Sequence, residues 1–489
     1  MRRIVLVSTV VVAMVLLSPM VLQGSDAQDS YDAPDGTYTY AKHGSGSESN
    51  PYWSEILSFS CDGDTVFLQS SLEGYGVTTV TSLSGCVAGT VVVPRTVTEV
   101  ADGAFVGSSI DRMVFLGDRP EMDIPDGMDV VALEGTSGWD AGQEKIPLLE
   151  YRDGGTSFTY YVLDGRAYVY GPSGHSDIAV PDEDSAGNVF AGIDSEAFRD
   201  GSVTSVTLGA NVSFVGTRAF YGCESLTSVV MGGGVRDVRD EAFRYCIHLG
   251  DVDLGGVVTI GFESFRDCRS FLSISVPDSV ISMGGGAFYL CRSAASLEMG
   301  TGIDAVPERG FGYCSSLGSV DMTGMKAIGD SAFISCTSLR AVTLDPGTVS
   351  IGDSAFSGCT YLASIELGDS LVSMGGQAFS ECRMLTSLTF PDTLGSVGER
   401  AFFHCNSLTD LYFEGEMPDM SGDLLFGTTG VAVHIYDIHE DSWDPFDGDL
   451  VVEVAPVRAD EGGLPLTAIA VAMVAILAVA VYVVYRVRR

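Results

Sequence analysis

Cysteine is the residue type in this sequence best suited to chemistry, because a thiolate can bind a metal or attack a substrate and two thiols can form a disulfide. Of the eleven cysteines in the 489 residues, nine form one column whose neighbours lie 22 or 23 residues apart. The column consists of Cys223, Cys246, Cys268, Cys291, Cys314, Cys336, Cys359, Cys382 and Cys405.

The regular spacing of this column favours packing over chemistry. If each repeat contributes one strand, stacked Cα atoms lie about 4.8 Å apart, which is within the range that a disulfide spans. Nine is an odd number, however, and a disulfide needs two side chains that point at each other rather than in parallel. We therefore expect a ladder of buried free thiols. Cys61 and Cys86 lie outside the column, and for them a disulfide and two free thiols are equally open alternatives.

No pattern typical of a metal centre or a catalytic site occurs in the chain. A zinc site needs cysteines that converge as C-x-x-C or together with histidines. The chain has no C-x-x-C, and its histidines are scattered: His43, His175, His248, His404, His434 and His439. G-x-S-x-G, H-E-x-x-H and P-loop patterns are also absent from the sequence. We therefore predict no catalytic residue, no cofactor, no metal site and no enzymatic activity.

Two acidic segments, 61–66 and 437–449, are rich enough in aspartate to be considered for calcium. Neither has the aspartate spacing and the final glutamate of a calcium-binding loop. Calcium binding by these segments therefore stays an open alternative.

The cysteine column belongs to a longer internal repeat. Each column cysteine follows a phenylalanine by three residues, and one further phenylalanine precedes the first of these pairs: Phe198, Phe220, Phe243, Phe265, Phe288, Phe311, Phe333, Phe356, Phe379 and Phe402. Three residues after the cysteine comes a mostly apolar position, and then a V-x-L pair that is typical of a short strand. Gly and Asp clusters turn the chain back. The sequence thus predicts a β-rich solenoid of 22–23-residue repeats with one parallel strand in each.

The repeat pattern A-F-x-x-C-x-x-L-x-x-V-x-L…I-G-x-x-A-F resembles the BspA-like leucine-rich repeats of microbial surface proteins. The resemblance covers residues 160–446, and segment 160–198 resembles the hairpin-rich N-terminal cap of such arrays. What it implies is a leucine-rich-repeat solenoid that adheres to host proteins, other cells or matrix. Members of this family bind diverse ligands, so the resemblance names no ligand.

A second, shorter module precedes the main array. Segment 91–122 repeats the A-F pair at Ala104 and Phe105, but Ser108 replaces the cysteine. Segments 117–140 and 415–444 are alike, and we interpret both as closing hairpins, with Trp139 and Trp443 packed over the last coil. The predicted organisation is therefore a short leucine-rich-repeat-like module at 36–145, the main solenoid with its caps at 146–450, and a linker at 451–463.

Both chain ends carry apolar segments that indicate a surface protein. Residues 1–27 have the basic start, apolar run and small-residue end of a signal peptide, although an uncleaved anchor is the alternative. Residues 464–485 are uncharged and, as a helix, about 33 Å long, which is enough to cross a bilayer. The arginines of the tail 486–489 place it in the cytoplasm. We expect a single-pass protein of the cell membrane with the bulk of the chain outside.

The formal net charge of −39 excludes two classes of partner. Such a surface repels nucleic acid and anionic lipid, so we predict binding of neither. The acidity is typical either of a protein that binds cations or basic partners, or of one that needs solubility in saline surroundings.

Leucine-rich repeats usually bind ligands with the exposed positions of their strands, which form a wide fixed surface. Here these positions come five and seven residues after each column cysteine, and we call all of them except Val230 and Ala341 the strand face. The strand face consists of Ser228, Asp251, Asp253, Ser273, Ser275, Ser296, Glu298, Ser319, Asp321, Thr343, Ser364, Glu366, Ser387, Thr389, Asp410 and Tyr412. It is rich in hydroxyls and mildly acidic, which favours weak multivalent contact over a tight receptor site. The alternative is that these residues only keep the sheet soluble.

Two functional hypotheses follow from these observations. The first is a membrane-anchored, adhesin-like protein that recognises a protein or cell-surface ligand through its solenoid. The second is a structural component of the cell envelope without a specific ligand.

Overall fold

The computed structural model describes residues 28–33, 36–43, 53–60, 62–69, 71–72, 75–124, 128–172, 176–420, 423–436 and 451–455. All regular secondary structure in these ranges is β-strand. Within the same ranges there is no helix of the length and hydropathy needed to span a membrane. The predicted signal peptide (1–27), membrane helix (464–485) and tail (486–489) lie outside the described residues.

Eleven strands form the short N-terminal module. They are β1 (Gln28–Ala33), β2 (Gly36–His43), β3 (Trp53–Ser60), β4 (Asp62–Phe67), β5 (Ser71–Leu72), β6 (Tyr75–Val80), β7 (Val87–Val93), β8 (Glu99–Val100), β9 (Ser109–Phe115), β10 (Asp129–Leu133) and β11 (Lys145–Ile146). Strands β1, β2 and β3 pair antiparallel, after which β3, β6 and β8 pair in parallel. A second sheet, β4-β7-β9-β10-β11, is parallel throughout. The module is thus a short solenoid that begins with antiparallel strands.

Antiparallel strands also open the long array. The next strands are β12 (Leu149–Asp153), β13 (Thr156–Leu163), β14 (Arg166–Pro172), β15 (Asp177–Val180) and β16 (Val189–Ile193). Strands β12, β13 and β14 pair antiparallel, and β14 then pairs with β16 in parallel. Asp164 and Gly165, with φ of 49° and 74°, form the two-residue turn between β13 and β14, as such tight hairpins require. The hairpins predicted for the start of this array are therefore present.

From here on the chain winds as a regular solenoid of short strands. They are β17 (Ser205–Leu208), β18 (Phe214–Val215), β19 (Ser228–Val230), β20 (Asp237–Val238), β21 (Thr259–Ile260), β22 (Ser273–Val276), β23 (Ser282–Met283), β24 (Ser296–Met299), β25 (Ala305–Val306), β26 (Ser319–Met322), β27 (Ala327–Ile328), β28 (Ala341–Leu344), β29 (Ser350–Ile351), β30 (Ser364–Glu366), β31 (Ser373–Met374), β32 (Ser387–Phe390), β33 (Ser396–Val397), β34 (Asp410–Phe413), β35 (Asp419–Met420), β36 (Ala432–Tyr436) and β37 (Val451–Ala455).

These strands form two parallel rows, whereas the sequence predicted one strand per repeat. The long row contains the three- to five-residue strands β15, β17, β19, β22, β24, β26, β28, β30, β32, β34, β36 and β37. The short row contains the two-residue strands β18, β20, β21, β23, β25, β27, β29, β31, β33 and β35. The prediction missed the short row because two residues are too few to show an alternating pattern.

The I-G pair of the repeat explains why the short row packs so closely. A side chain on Gly398 would place its Cβ 2.2 Å from the backbone nitrogen of Gly376 in the preceding coil. The same approach occurs at Gly375, where a Cβ would lie 2.4 Å from the nitrogen of Asp353. Glycine therefore lets each coil lie directly against the one before it.

The phenylalanine column forms the centre of the core. All ten rings are buried, and neighbouring rings stack with centroids 5.1–5.9 Å apart and planes within 19° of parallel. One hydrophobic cluster includes this column and the cysteine and leucine columns from Phe158 to Ile435. Each repeat therefore buries its apolar residues mainly against its two neighbours.

The turn around each phenylalanine has an unusual backbone. The residues two before and two after each ring have positive φ, and only three of these twenty positions are glycine, namely Gly222, Gly286 and Gly358. A non-glycine residue in this conformation costs about 1–2 kcal/mol. Hydrogen bonds to the next coil hold it in place: the N–H groups of Ser331, Phe333 and Ser335 donate to carbonyls at 2.7–2.8 Å.

The short module packs on the beginning of the long array. Residues of β7, β9 and β10, including Val92 and Val114, form one buried cluster with residues of β13, β14, β16 and β18. The ring of Phe67 lies 4.9 Å from Tyr168 and 5.7 Å from Phe214. A sheet of the module therefore covers the outer side of the sheet that opens the array.

The closing segments are parallel strands, so the prediction of closing hairpins is wrong. Strand β10 pairs in parallel with both β9 and β11, and β36 pairs in parallel with both β34 and β37. The chain keeps winding because the connection between β10 and β11 is long enough for a parallel crossover. Trp139 does pack on Phe115, with ring centroids 5.1 Å apart, whereas Trp443 lies outside the described residues.

Strand β37 also changes the predicted linker. Its residues, Val451–Ala455, pair with β36 in the last sheet of the array. The array therefore extends five residues into the segment predicted as a linker at 451–463.

Candidate interaction surface and thiol column

The strand face lies on the outward side of the long row. Strands of this row alternate outward and inward side chains, because successive residues of a strand point to opposite faces. Fourteen of the sixteen residues are exposed, and Ser387 and Asp410 are half-buried. Inward neighbours such as Val320 and Val342 are buried. The structure thus places the predicted candidate residues together on one side of the array.

Parallel register arranges these side chains in columns. In the centre of the array Ser319 pairs with Ala341 and then Ser364, while Asp321 pairs with Thr343 and then Glu366. Neighbouring strands lie about 4.8 Å apart. The strand face is therefore a flat grid of hydroxyls and carboxylates rather than a pocket.

The long row is interrupted at Asp251 and Asp253, which the sequence predicted to lie in a strand. Residues 251–254 form none, and the Asp251 carboxylate replaces the strand hydrogen bonds. Its Oδ1 accepts the N–H groups of Leu272 at 2.6 Å and Ser273 at 3.2 Å, and its Oδ2 accepts the Ser273 hydroxyl at 2.8 Å. Asp251 is thus engaged in holding the next coil.

The C-terminal end of the strand face differs chemically from the rest. The His434 ring stacks on Tyr412 with centroids 4.4 Å apart, and its Nε2 lies 2.7 Å from Asp410 Oδ1. Partial burial acts to raise the pKa of Asp410, but hydrogen bonds from His434 and Thr409 lower it below its usual value. Sequence reasoning missed His434 because segment 415–444 was interpreted as a hairpin. The alternation Ala432-Val433-His434-Ile435 was the available signal of a further strand.

The nine column cysteines are free and buried, as predicted, and they bind the backbone of the preceding coil. Each Sγ lies 3.0–3.3 Å from the carbonyl oxygen of the phenylalanine one coil earlier, as in Cys359 to Phe333. At the end of the column the Thr428 hydroxyl takes the place of the thiol and donates to Phe402 at 2.6 Å. Since a hydroxyl makes the equivalent hydrogen bond there, the column is a structural hydrogen-bonding ladder.

Burial also makes these thiols chemically inert. It raises the pKa of Cys223, Cys314, Cys359 and Cys405 to about 12, and it raises the pKa of the other five well above the usual range. The thiolate is the reactive form, so a protonated buried thiol does not react.

We expect the nine column thiols to resist modification until the array unfolds. Ellman's reagent at mildly alkaline pH should label none of them in the folded protein and all of them in concentrated guanidinium chloride. The control is a Ser364→Cys variant, whose exposed thiol should react at once. Rapid labelling of column thiols in the folded protein would contradict the buried ladder.

Cys86 is buried and disulfide-bonded, while Cys61 lies outside the described residues. The nine column cysteines are free, so Cys61 is the cysteine of this chain that remains as a partner for Cys86. We therefore predict this pairing. A proteolytic digest without reductant should yield one linked peptide pair that contains both residues, and a free Cys61 in that digest would refute the prediction.

The structure brings no metal ligands together within the described residues. No group of three or more His, Cys, Asp and Glu side chains there is placed to hold a metal ion. His404 is exposed, while its neighbour Cys405 is buried. The acidic segment 437–449 lies outside the described residues. The expectation of no metal site stays a prediction.

Comparison with known proteins identifies the repeat. The profile of the BspA type leucine rich repeat region matches with six copies, over residues 191–318, 237–345 and 326–436. These overlapping ranges cover half of the chain. This repeat fold is generally non-enzymatic. None of the curated proteins compared with the chain matches it.

Solved structures that are similar to this chain include the following three. A leucine rich cell surface protein from Faecalibacterium prausnitzii is 20% identical, with 65% of this chain and 99% of that chain covered and a TM-score of 0.35. A leucine-rich repeat protein from Bacteroides ovatus is 18% identical, with 64% and 98% covered and a TM-score of 0.35. The pneumococcal vaccine antigen PcpA is 13% identical, with 88% and 100% covered and a TM-score of 0.35. The profile match over the A-F-x-x-C repeats shows that the chain belongs to the BspA type leucine rich repeat family.

Proposed function

We propose that this protein is a membrane-anchored, adhesin-like surface protein that recognises a protein or cell-surface ligand through the strand face. The observation that carries the proposal is that fourteen of the sixteen residues, all but Asp251 and Asp253, lie on the outward side of the strands of the long row. The repeat family is one of protein-recognition modules, which supports the same conclusion. A wide rigid surface of this kind is how solenoids bind their ligands.

The chemistry of the strand face suits many weak contacts. Serine and threonine hydroxyls both donate and accept hydrogen bonds, and the carboxylates accept them. The strand face contains one aromatic residue, Tyr412, and no arginine. The strand face therefore lacks the aromatic and arginine anchors of tight interfaces. The proposed ligand is a repetitive surface that presents hydrogen-bond donors, and avidity over several coils supplies the affinity.

Residues 464–485 supply the proposed membrane anchor, with the array outside and the tail 486–489 in the cytoplasm. Because β37 ends at Ala455, only residues 456–463 separate the array from this segment. Eight extended residues span at most about 29 Å. The last coils would therefore stand close to the membrane, and the short module would lie at the far end of the array.

We expect bulky cations on the strand face to reduce cell attachment by about tenfold, which corresponds to about 1.4 kcal/mol. The test variant is Thr343→Arg with Ser364→Arg, in the full chain displayed on cells. The control is Ser350→Arg with Ser373→Arg, which places two arginines at half-buried positions in neighbouring coils of the short row. Surface display of each variant is measured with an antibody to the short module.

The two functional hypotheses give different results in this assay. Loss of attachment in the strand-face variant alone supports recognition through the long row. Equal attachment by the strand-face variant and the short-row control variant would contradict recognition through the long row. Absence of attachment by the unaltered protein to any tested cell or host protein would favour a structural component of the envelope.

A further inference from the structure

The position two residues after each column cysteine lies at the entrance to the long row. Six of the nine repeats have serine there: Ser225, Ser270, Ser293, Ser316, Ser338 and Ser407. The exceptions are His248, Tyr361 and Met384. Tyr361 and Met384 occupy neighbouring coils and are 53% and 48% exposed, respectively.

The repeat itself does not need large side chains at this position. Six coils fold with a serine, and the buried leucine of the next position, such as Leu362 or Leu385, is present beside Tyr361 and Met384 as well. Two large apolar side chains in neighbouring coils, whose strands lie about 4.8 Å apart, create local apolar surface on a mostly polar side of the array. Exposed apolar surface that folding does not require is typical of interaction sites.

Arg340 adds a cation to the same place. Its guanidinium lies over the Tyr361 ring, 5.4 Å from the centroid. In the part of the chain that the structure describes, no carboxylate lies within ion-pair distance of Arg340, whereas Arg383 nearby pairs with Glu381 at 3.0 Å. Although the net charge of the protein is −39, Arg340 is therefore an exposed cation that can still form an ion pair with a partner's carboxylate.

The three residues border the strand face. Arg340 directly precedes strand β28, and Tyr361 and Met384 precede β30 and β32 by three residues each. A ligand that lies on the centre of the strand face, at Thr343 and Ser364, can contact them at the same time. They supply the anchors that the strand face lacks, since Tyr, Arg and Met are enriched in protein interfaces.

We infer that Arg340, Tyr361 and Met384 form the anchoring site for a partner protein that presents an aromatic or aliphatic side chain beside a carboxylate. We call them the anchor patch. The apolar group packs on Met384 and Tyr361, and the carboxylate pairs with Arg340. The inference rests on the proposed function, because it names the partner chemistry of the same surface. A protein is favoured over an acidic glycan because Met384 offers a sugar no strong hydrogen bond.

Three synthetic peptides of equal length test this assignment. One carries Phe between two Glu residues, one carries Phe between two Lys residues, and one carries Ala between two Glu residues. Each is immobilised on beads, and cells that display the full chain are scored for attachment. We expect the Glu-Phe-Glu beads to retain at least about tenfold more cells than either of the others, because only that peptide satisfies both halves of the site.

Variants that restore the repeat consensus test the residues themselves. Tyr361→Ser with Met384→Ser introduces the residue that six other coils carry, so the array is expected to fold normally. This variant should lose retention on the Glu-Phe-Glu beads by about tenfold, and Arg340→Gln should abolish the preference for Glu over Lys. Arg292→Gln, another exposed arginine of the array, is the matched control and should bind as the unaltered chain does.

Two results with the beads would overturn the anchor patch. One is unchanged retention by the Tyr361→Ser, Met384→Ser variant, and the other is stronger retention on beads coated with a polyuronic acid than on the peptide beads. If the strand-face arginine variant loses cell attachment while the anchor-patch variant keeps it, the proposed function stands and the anchor patch is wrong. Loss of cell attachment in the strand-face variant and in the anchor-patch variant supports the proposed function and the anchor patch.

Discussion

Replacement of Phe356 by Ala is expected to lower the free energy of unfolding by about 3–5 kcal/mol, the usual loss for a buried aromatic side chain. The Phe356 ring is fully buried between Phe333 and Phe379, with both centroids 5.4 Å away. Its removal leaves a cavity in the centre of the ring column. Denaturant unfolding of the unaltered chain and the variant measures the difference.

The Phe356→Ala substitution should also destabilise some coils more than others. In a solenoid each coil is stabilised mainly by its neighbours, so the coils from Phe333 to Phe379 should open first. Hydrogen exchange is expected to rise there and to stay low around Phe220 and Phe243. Phe333→Ala, at the adjacent ring, should give the same pattern shifted by one coil.

Phe426→Ala is the control for the aromatic substitution. This ring is 57% exposed, so its loss should cost well under half as much as the loss of Phe356. A uniform rise in exchange over the whole array would contradict the nearest-neighbour account. An equal cost for the two substitutions would contradict the buried column.

Tyr161 is the second site where a large effect is expected, and of two substitutions there only one should destabilise the protein. Tyr161→Ala removes a fully buried ring from the contact between the short module and the array and should cost about 3–5 kcal/mol. Tyr161→Phe should be neutral or stabilise by about 1 kcal/mol. The reason is that the Tyr161 hydroxyl is buried and has no hydrogen-bond partner in the described part of the chain.

Burial also raises the pKa of Tyr161 well above its usual value, which favours the neutral hydroxyl. Thermal unfolding of the unaltered chain, Tyr161→Phe and Tyr161→Ala measures both effects. Tyr170→Phe is a suitable control, because Tyr170 is only half-buried in the same cluster. A loss of more than about 1 kcal/mol in Tyr161→Phe would show that the hydroxyl is satisfied after all.

The contact at Tyr161 also bears on deletion experiments. The module covers Tyr161, Tyr168 and Phe214 of the array, and Arg95 of the module lies 3.7 Å from the buried Asp194. Deletion of residues 36–145 would expose this apolar surface and leave Asp194 without its cation. Loss of cell attachment in such a deletion therefore does not by itself place a binding site in the module, and point variants on the strand face are the sharper test.

Repetition is what made much of this fold predictable from the sequence. Ten phenylalanines with a regular period, eight of them preceded by alanine, show which positions face inward, because one buried column needs the same residue type in every coil. The strand face follows from the same period, since outward positions alternate with inward ones. The thiol column could likewise be interpreted as packing from its odd number and its parallel arrangement.

Contacts between coils decided the features that the sequence did not show. The two-residue strands of the short row exist only because a neighbouring coil supplies their hydrogen-bond partners. Residues such as Ser331 and Arg400 have positive φ although neither is glycine, and hydrogen bonds to the next coil hold these turns. The sequence pattern within one repeat does not show these hydrogen-bond partners, because they lie 22 or 23 residues away in the chain.

Contacts between coils also decided how the array ends and where its long row is interrupted, at Asp251. The sequence by itself determined the period, the buried columns and the outward residues, because these depend only on which side chains avoid water. The tertiary structure alone decided that the closing strands are parallel, that Asp251 replaces a strand with side-chain hydrogen bonds, and that the short module covers Phe214. These features depend on which backbone and apolar surfaces are left unpaired once the coils are stacked, and that is set by the assembled fold.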